Sequence, residues 1–148
     1  MPANPLLRVC ALLNEHGARY LVCGGQAVIL HGIVRTTEDV DIFIEPSEDN
    51  AAKVINALSQ LEDGAARDLI PRDLLDNVIV KIADDVEVDV STHAWKVSYA
   101  DAISSAAETV IDGLKIPYLG LDSLIASRER DRIDLLRLRE LKEQQGNR

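Results

Sequence analysis

The stretch RYLVCGGQAVILHGIVRTTEDVDIFIE, residues 19–45, decides the fold. Tyr20 to Cys23 is a short apolar run that stops at Gly24-Gly25. A short helix over Gln26–His31 is expected to open from this glycine turn. Its first N–H groups have no partner within the helix and so can face an anion, which makes Gln26 a candidate contact. After the loop, Val40, Ile42 and Ile44 alternate with Asp39, Asp41, Phe43 and Glu45. Successive side chains of a strand point to opposite faces. Asp39 and Asp41 therefore share one face, while Val40, Ile42 and Ile44 enter the core.

Two carboxylates spaced this way can converge on a hard divalent cation, which relieves their mutual repulsion. The glycine pair just upstream lets backbone N–H groups approach an anion closely. Together they point to a metal-bound phosphate ester. Alone, an Asp-x-Asp on a strand is as readily a solvated acidic face. Arg35 in the intervening loop can clamp a triphosphate, since guanidinium matches phosphate oxygens, or can pair with Glu38 or Asp39. His31 reads best as a helix-end histidine bonded to backbone.

Residues 22–45 resemble the signature of the nucleotidyltransferase (DNA polymerase beta-like) superfamily: a glycine pair, a helix, then Asp-x-Asp on the next strand. The matching residues are Gly24, Gly25, Ala27, His31, Gly32, Arg35, Thr37, Asp39 and Asp41. They are closest to the pattern of nucleotidyltransferase toxins of abortive-infection systems and minimal relatives. The resemblance implies an α/β (α+β) fold, a mixed β-sheet with helices packed on it. It also implies a third carboxylate on a neighbouring strand, and VEVDV places Asp89 there. Three carboxylates can hold two magnesium ions, with Asp39, Asp41 and Asp89 as both metal ligands and catalytic residues. The alternative for Asp89 is a strand acid paired with Lys81. Gly24, Gly25, Gln26, Arg35, Thr37 and Arg128 would then contact the nucleotide. Arg128 stands where the family pattern usually has lysine, which keeps a phosphate contact but not a proton donor.

The chain has 148 residues, enough for one domain with its own core. Aromatic residues are only 3%, so that core must be aliphatic. The formal net charge of −9 disfavours long DNA as a partner. The charge is uneven: residues 128–148 carry 7 basic and 5 acidic groups, against 9 and 20 in residues 1–127. A free nucleoside triphosphate, with a tRNA end, a protein hydroxyl or a small molecule as acceptor, is compatible with this balance. A homodimer or a cognate partner protein is also compatible. No apolar run is long enough to cross a bilayer, and no basic region precedes the first apolar stretch. Cys10 and Cys23 lack metal-type spacing and read as reduced and buried, so a cytoplasmic protein is expected.

The remaining elements follow from periodicity. Residues 5–16 read as an amphipathic helix with Pro5 at its start and Gly17 past its end. Ser47 should cap a helix over 48–61, and residues 62–77 look irregular, with room for a short helical turn. Residues 78–91 read as a hairpin. A two-residue turn at Asp84-Asp85 would mix its apolar and polar faces. A three-residue loop or a bulge restores them, sets Lys81 opposite Asp89, and leaves Lys81, Glu87 and Asp89 on the polar face. Tyr99–Ala107 looks helical, Asp112-Gly113 marks a second hairpin, and residues 121–144 form a C-terminal helical segment in which Asp122 can cap the first helix.

Overall fold

The structure is a computed structural model, and it describes residues 4–32, 39–93, 97–127 and 132–146. Helix α1 (Pro5–Glu15) leads into strand β1 (Tyr20–Cys23), and α2 (Gly24–Leu30) follows directly. Then come β2 (Val40–Ile44), α3 (Glu48–Leu58), a 3-10 turn (Ala65–Asp68) and α4 (Pro71–Leu75). The hairpin β3 (Ile79–Ala83) and β4 (Glu87–Ser91) precedes α5 (Tyr99–Ile103). A second hairpin, β5 (Ala107–Ile111) and β6 (Leu114–Tyr118), is followed by α6 (Leu121–Ser127) and α7 (Arg132–Gly146). Among the described residues, six strands form one mixed sheet in the order β3-β4-β2-β1-β6-β5. No helix among them is long and apolar enough to cross a membrane.

Local chemistry sets the element ends. The Asn4 side chain accepts from Leu6 N at 2.9 Å, capping α1 ahead of Pro5. Ser47 Oγ accepts from Asn50 N at 3.2 Å and caps α3. Asp112 and Gly113 have φ of 51° and 78°, the left-handed pair that a two-residue hairpin turn requires. The first hairpin pairs Ala83 with Glu87, so its loop has the three residues 84–86 and Lys81 stands opposite Asp89, as the sequence predicts.

Several expected boundaries move. Helix α2 begins at Gly24 rather than Gln26, and α3 stops at Leu58, three residues early. The helix expected over 99–107 ends at Ile103, and Ala107 already belongs to β5. Thr109 and Ile111 pair with Ile116 and Leu114 across that hairpin, and strand pairing outweighs the helical propensity of SSAAE. The segment 62–77 holds both the 3-10 turn and α4, where the sequence allows one short helical turn. Its N–H groups at Glu62, Asp63 and Ala65 all donate to the Asp84 and Asp85 carboxylates in the hairpin loop. Asp122 lies in the first turn of α6 and ion-pairs with Lys142 of α7.

The two faces of the sheet differ. Tyr20, Val22, Ile42, Ile44, Val88 and Val90 share a buried face. Helix α1 packs there, with the Tyr20 hydroxyl donating to Asn14 Oδ1 at 2.9 Å. The other face is divided. Toward the C-terminal end of β2 it is covered, since Phe43 is fully buried and its ring lies 5.8 Å from that of Tyr99 in α5. Simple alternation had grouped Phe43 with the polar residues, and α5 is the reason it is not. Over β3 the same face is open, with Ile79, Lys81 and Ala83 exposed. Cys10 and Cys23 are free and buried, and burial pushes the Cys10 thiol up to about 11.

Candidate active site

The candidate residues gather at the end of the sheet where β1 runs into α2. The β1–β2 pairing sets Cys23 opposite Asp41, and the parallel β2–β4 pairing sets Asp41 beside Asp89. Directly paired residues point to the same face. Asp41 and Asp89 are therefore neighbours on the open face, with Lys81 next in the same row. One step earlier, Asp39 precedes β2 and falls level with Glu87 at the start of β4.

Gly24 adopts φ +61°, a conformation that few side chains tolerate. A Cβ on Gly24 would lie 2.0 Å from Oδ2 of Asp41 and 2.6 Å from its Cγ. The glycine at this turn is thus what leaves space for the Asp41 carboxylate over the strand-to-helix corner. Gly25 is buried in the first turn of α2, next to Gln26.

Glu87 was placed on the polar face by the sequence but not in the site. Its carboxyl is held above the usual range, first by a hydrogen bond with Asp39. The signal was available: an acid-x-acid pattern on each of two strands, Asp39/Asp41 and Glu87/Asp89, becomes a two-by-two cluster once the strands pair in parallel. Lys81 Nζ lies 3.9 Å from Glu87 Oε2 and 3.9 Å from Asp89 Oδ1. That Asp89 oxygen is buried and makes no hydrogen bond.

Among the described residues, no group of three or more His, Cys, Asp and Glu side chains is arranged as a metal site. The contacts above describe that arrangement: Glu87 bonds Asp39, and Asp89 faces Lys81. Repulsion among like charges disfavours convergence until a cation offsets it. Two independent features fit the residues to a hard divalent ion. Asp89 presents a buried oxygen without a hydrogen-bond donor, which is costly unless something positive meets it. Gly24 leaves the Asp41 carboxylate in place beside it.

Arg35, Thr37 and Arg128 lie outside the described residues. His31 behaves as expected: Nε2 lies 2.8 Å from Leu119 O, and its ring packs edge-on to Tyr118 at 5.0 Å. A groove of about 390 Å³ lined by Glu45, Thr92, His93, Ser98 and Tyr99 lies at the other end of β2 and β4, away from the aspartates.

No protein-family model matches the sequence, and no curated protein matches it. Among solved structures, the chain is similar to a crystal structure from Thermotoga maritima described as a "putative nucleotidyltransferase". The likeness has a TM-score of 0.58 at 15% identity and covers 97% of this chain and 91% of that one. At this identity the likeness shows a shared fold, and the chain has a nucleotidyltransferase-like mixed sheet with packed helices.

Proposed function

We propose that this protein transfers a nucleotidyl group from a nucleoside triphosphate to a hydroxyl acceptor and releases pyrophosphate. The observation that carries this reading is the row Gly24, Asp41, Asp89, in which a glycine corner and two strand carboxylates meet on one open face. The fold likeness supports it.

In this reading the triphosphate lies against Gly24-Gly25, where the backbone can approach phosphate oxygens without a side chain between them. Asp39, Asp41 and Asp89 would hold divalent magnesium, which supplies positive charge at the phosphates and the leaving group. The acceptor oxygen attacks the α-phosphorus. A new P–O bond forms as the bond to the bridging oxygen breaks, and pyrophosphate leaves with that electron pair. The hydroxyl proton is released to solvent as the new bond forms. Rate enhancement comes from positioning and fixed charge rather than from a covalent intermediate. Gln26, Arg35, Thr37 and Arg128 are proposed as nucleotide contacts on the sequence pattern. A tRNA end, a protein hydroxyl and a small molecule are the acceptor classes to try.

The test is incubation with α-labelled nucleoside triphosphates, magnesium and an acceptor panel, with Asp41→Asn alongside. Label transfer by the wild type and its loss in the variant are expected. Failure of the wild type to bind nucleotide in a metal-dependent way would sink the reading.

One observation favours a second reading, a partner-binding relative that keeps the fold without chemistry: the described carboxylates do not form a ready three-ligand cluster. Its signature is a stable partner in native mass spectrometry together with no magnesium-dependent nucleotide binding.

A further inference from the structure

We propose that Lys81 is a built-in counter-ion that competes with a divalent cation for the carboxylates of β4. The inference rests on the metal-dependent reading above and adds a device that sets how tightly the site takes its metal.

The antiparallel β3–β4 register puts Lys81 directly opposite Asp89. Its Nζ is 3.9 Å from both Asp89 Oδ1 and Glu87 Oε2. At that distance the ammonium neutralises both groups without a hydrogen bond to either, which matches the unbonded state of Asp89 Oδ1. The arrangement is a charge balance rather than a tight ion pair. The lysine can also leave. Its side chain is 55% exposed, it sits on an edge strand, and its neighbours on that face, Ile79 and Ala83, are exposed too. A flexible four-carbon stem lets the ammonium swing into water once another cation meets Asp89. Asp89, at 20% side-chain exposure, has no such freedom. The mobile partner is therefore the positive one, and the fixed partner is the proposed metal ligand.

A lysine on an edge strand also has an ordinary purpose, since charge there discourages edge-to-edge pairing between molecules. The two roles differ in what they predict for metal affinity. A lysine serving only the edge leaves it unchanged. A competing lysine lowers it, because a divalent ion a few ångströms away must work against the ammonium's charge or displace it.

The experiment uses the full chain, stripped of metal with a chelator and titrated with Mn2+ at low ionic strength. Free Mn2+ is read by electron paramagnetic resonance. Four proteins are compared: wild type, Lys81→Met, Asp89→Asn and Lys53→Met. Lys53 pairs with Asp49 on α3 and supplies a charge-matched control outside the site. Lys81→Met is expected to bind Mn2+ about tenfold more tightly than wild type, with Lys53→Met changing affinity by less than about twofold. Asp89→Asn should bind more weakly. Wild-type or weaker affinity in Lys81→Met, with binding otherwise intact, overturns the role of Lys81 and leaves the metal site standing. An equal gain in Lys53→Met overturns it too, as an effect of net charge alone. No binding by any of the four removes the metal reading, and this inference with it.

Discussion

Gly24 and Asp41 share one corner: a methyl group on the glycine would stand 2.0 Å from Oδ2 of the aspartate. Two effects of Gly24→Ala can be separated. The backbone effect comes from φ +61° and costs about 1 kcal/mol. The steric effect turns the Asp41 carboxylate away from its place beside Asp89. Gly17→Ala is the matched control, with φ +67° and nothing within 4 Å of the added carbon. Both variants should lose stability in urea denaturation, Gly24→Ala more, because its added carbon also lies 2.8 Å from Asp41 Cβ, which turning the carboxylate does not move. Only Gly24→Ala should lose metal-dependent nucleotide binding, by at least about tenfold on the scale of one displaced charged ligand. Equal nucleotide affinity in the two variants would mean that Asp41 does not need this corner.

Asp89 separates stability from function. Its Oδ1 is buried, without a hydrogen bond, and faces an ammonium at 3.9 Å. A poorly compensated buried charge is a cost to the folded state. Asp89→Asn removes that charge with little change of shape. In the absence of metal the variant should be as stable as wild type or more stable, by up to about 1 kcal/mol. Nucleotidyl transfer should disappear. Thermal unfolding in chelator, beside the transfer assay, checks both halves. A clear loss of stability would make Asp89 a structural residue rather than a functional one.

How far the sequence reached depended on whether neighbours along the chain or across it set the outcome. Strand β2, the glycine corner and the three-residue loop of the β3–β4 hairpin are local: alternation and face agreement are enough to place them. The pairing of Asp41 with Asp89 came from a family resemblance, because parallel pairing of distant strands leaves no local trace. Phe43 was misjudged for the same reason. Nothing near IFIE reveals that α5 will lay Tyr99 over it. Glu87 was placed on the correct face, but its bond with Asp39 needed the register of two strands nearly fifty residues apart. Arg35, Thr37 and Arg128, the basic and hydroxyl side chains expected at phosphate, fall outside the described residues.

Asn50, in the first turn of α3, holds the far end of the sheet together. It is 3% exposed. Its Oδ1 accepts from Arg19 N at 2.7 Å, and its Nδ2 donates to Arg19 O at 2.9 Å and to Glu45 O at 3.0 Å. One side chain thus satisfies backbone groups at the start of β1 and the end of β2. Asn50→Ala removes the partner of Arg19 N and the side-chain donor to Glu45 O, while Arg19 O keeps its bond from Glu45 N, and should cost about 2 kcal/mol. Asn50→Asp should cost more, since it turns a donor into a charged oxygen facing two carbonyls. Denaturant midpoints of the two variants give the order. An aspartate variant no worse than the alanine one would show that the amide donor does not matter.

The β3–β4 loop gives the protein an acid-sensitive tie. Burial works against ionised Asp84, but backbone N–H donors at Ala65, Asp63 and Asp85 outweigh it and hold its carboxyl at about 2. Those bonds are 2.8, 2.8 and 2.7 Å long. The folded value lies below the ordinary 3.8, so the native state favours the ionised form. The stabilisation is therefore complete above about pH 4 and is lost as the pH falls toward 2. Partial exposure to water reduces its size, and Asp84→Asn should cost about 1 kcal/mol at pH 7. The gap between wild type and variant should shrink to a small part of its pH 7 size by pH 2, where about half of native Asp84 is still ionised, and close only below that. Urea denaturation of the pair at pH 7, 4 and 2 measures it. A gap that persists unchanged at pH 2 would assign the cost to lost shape rather than lost charge, and the anchoring of residues 62–65 to this loop would not depend on an ionised carboxylate.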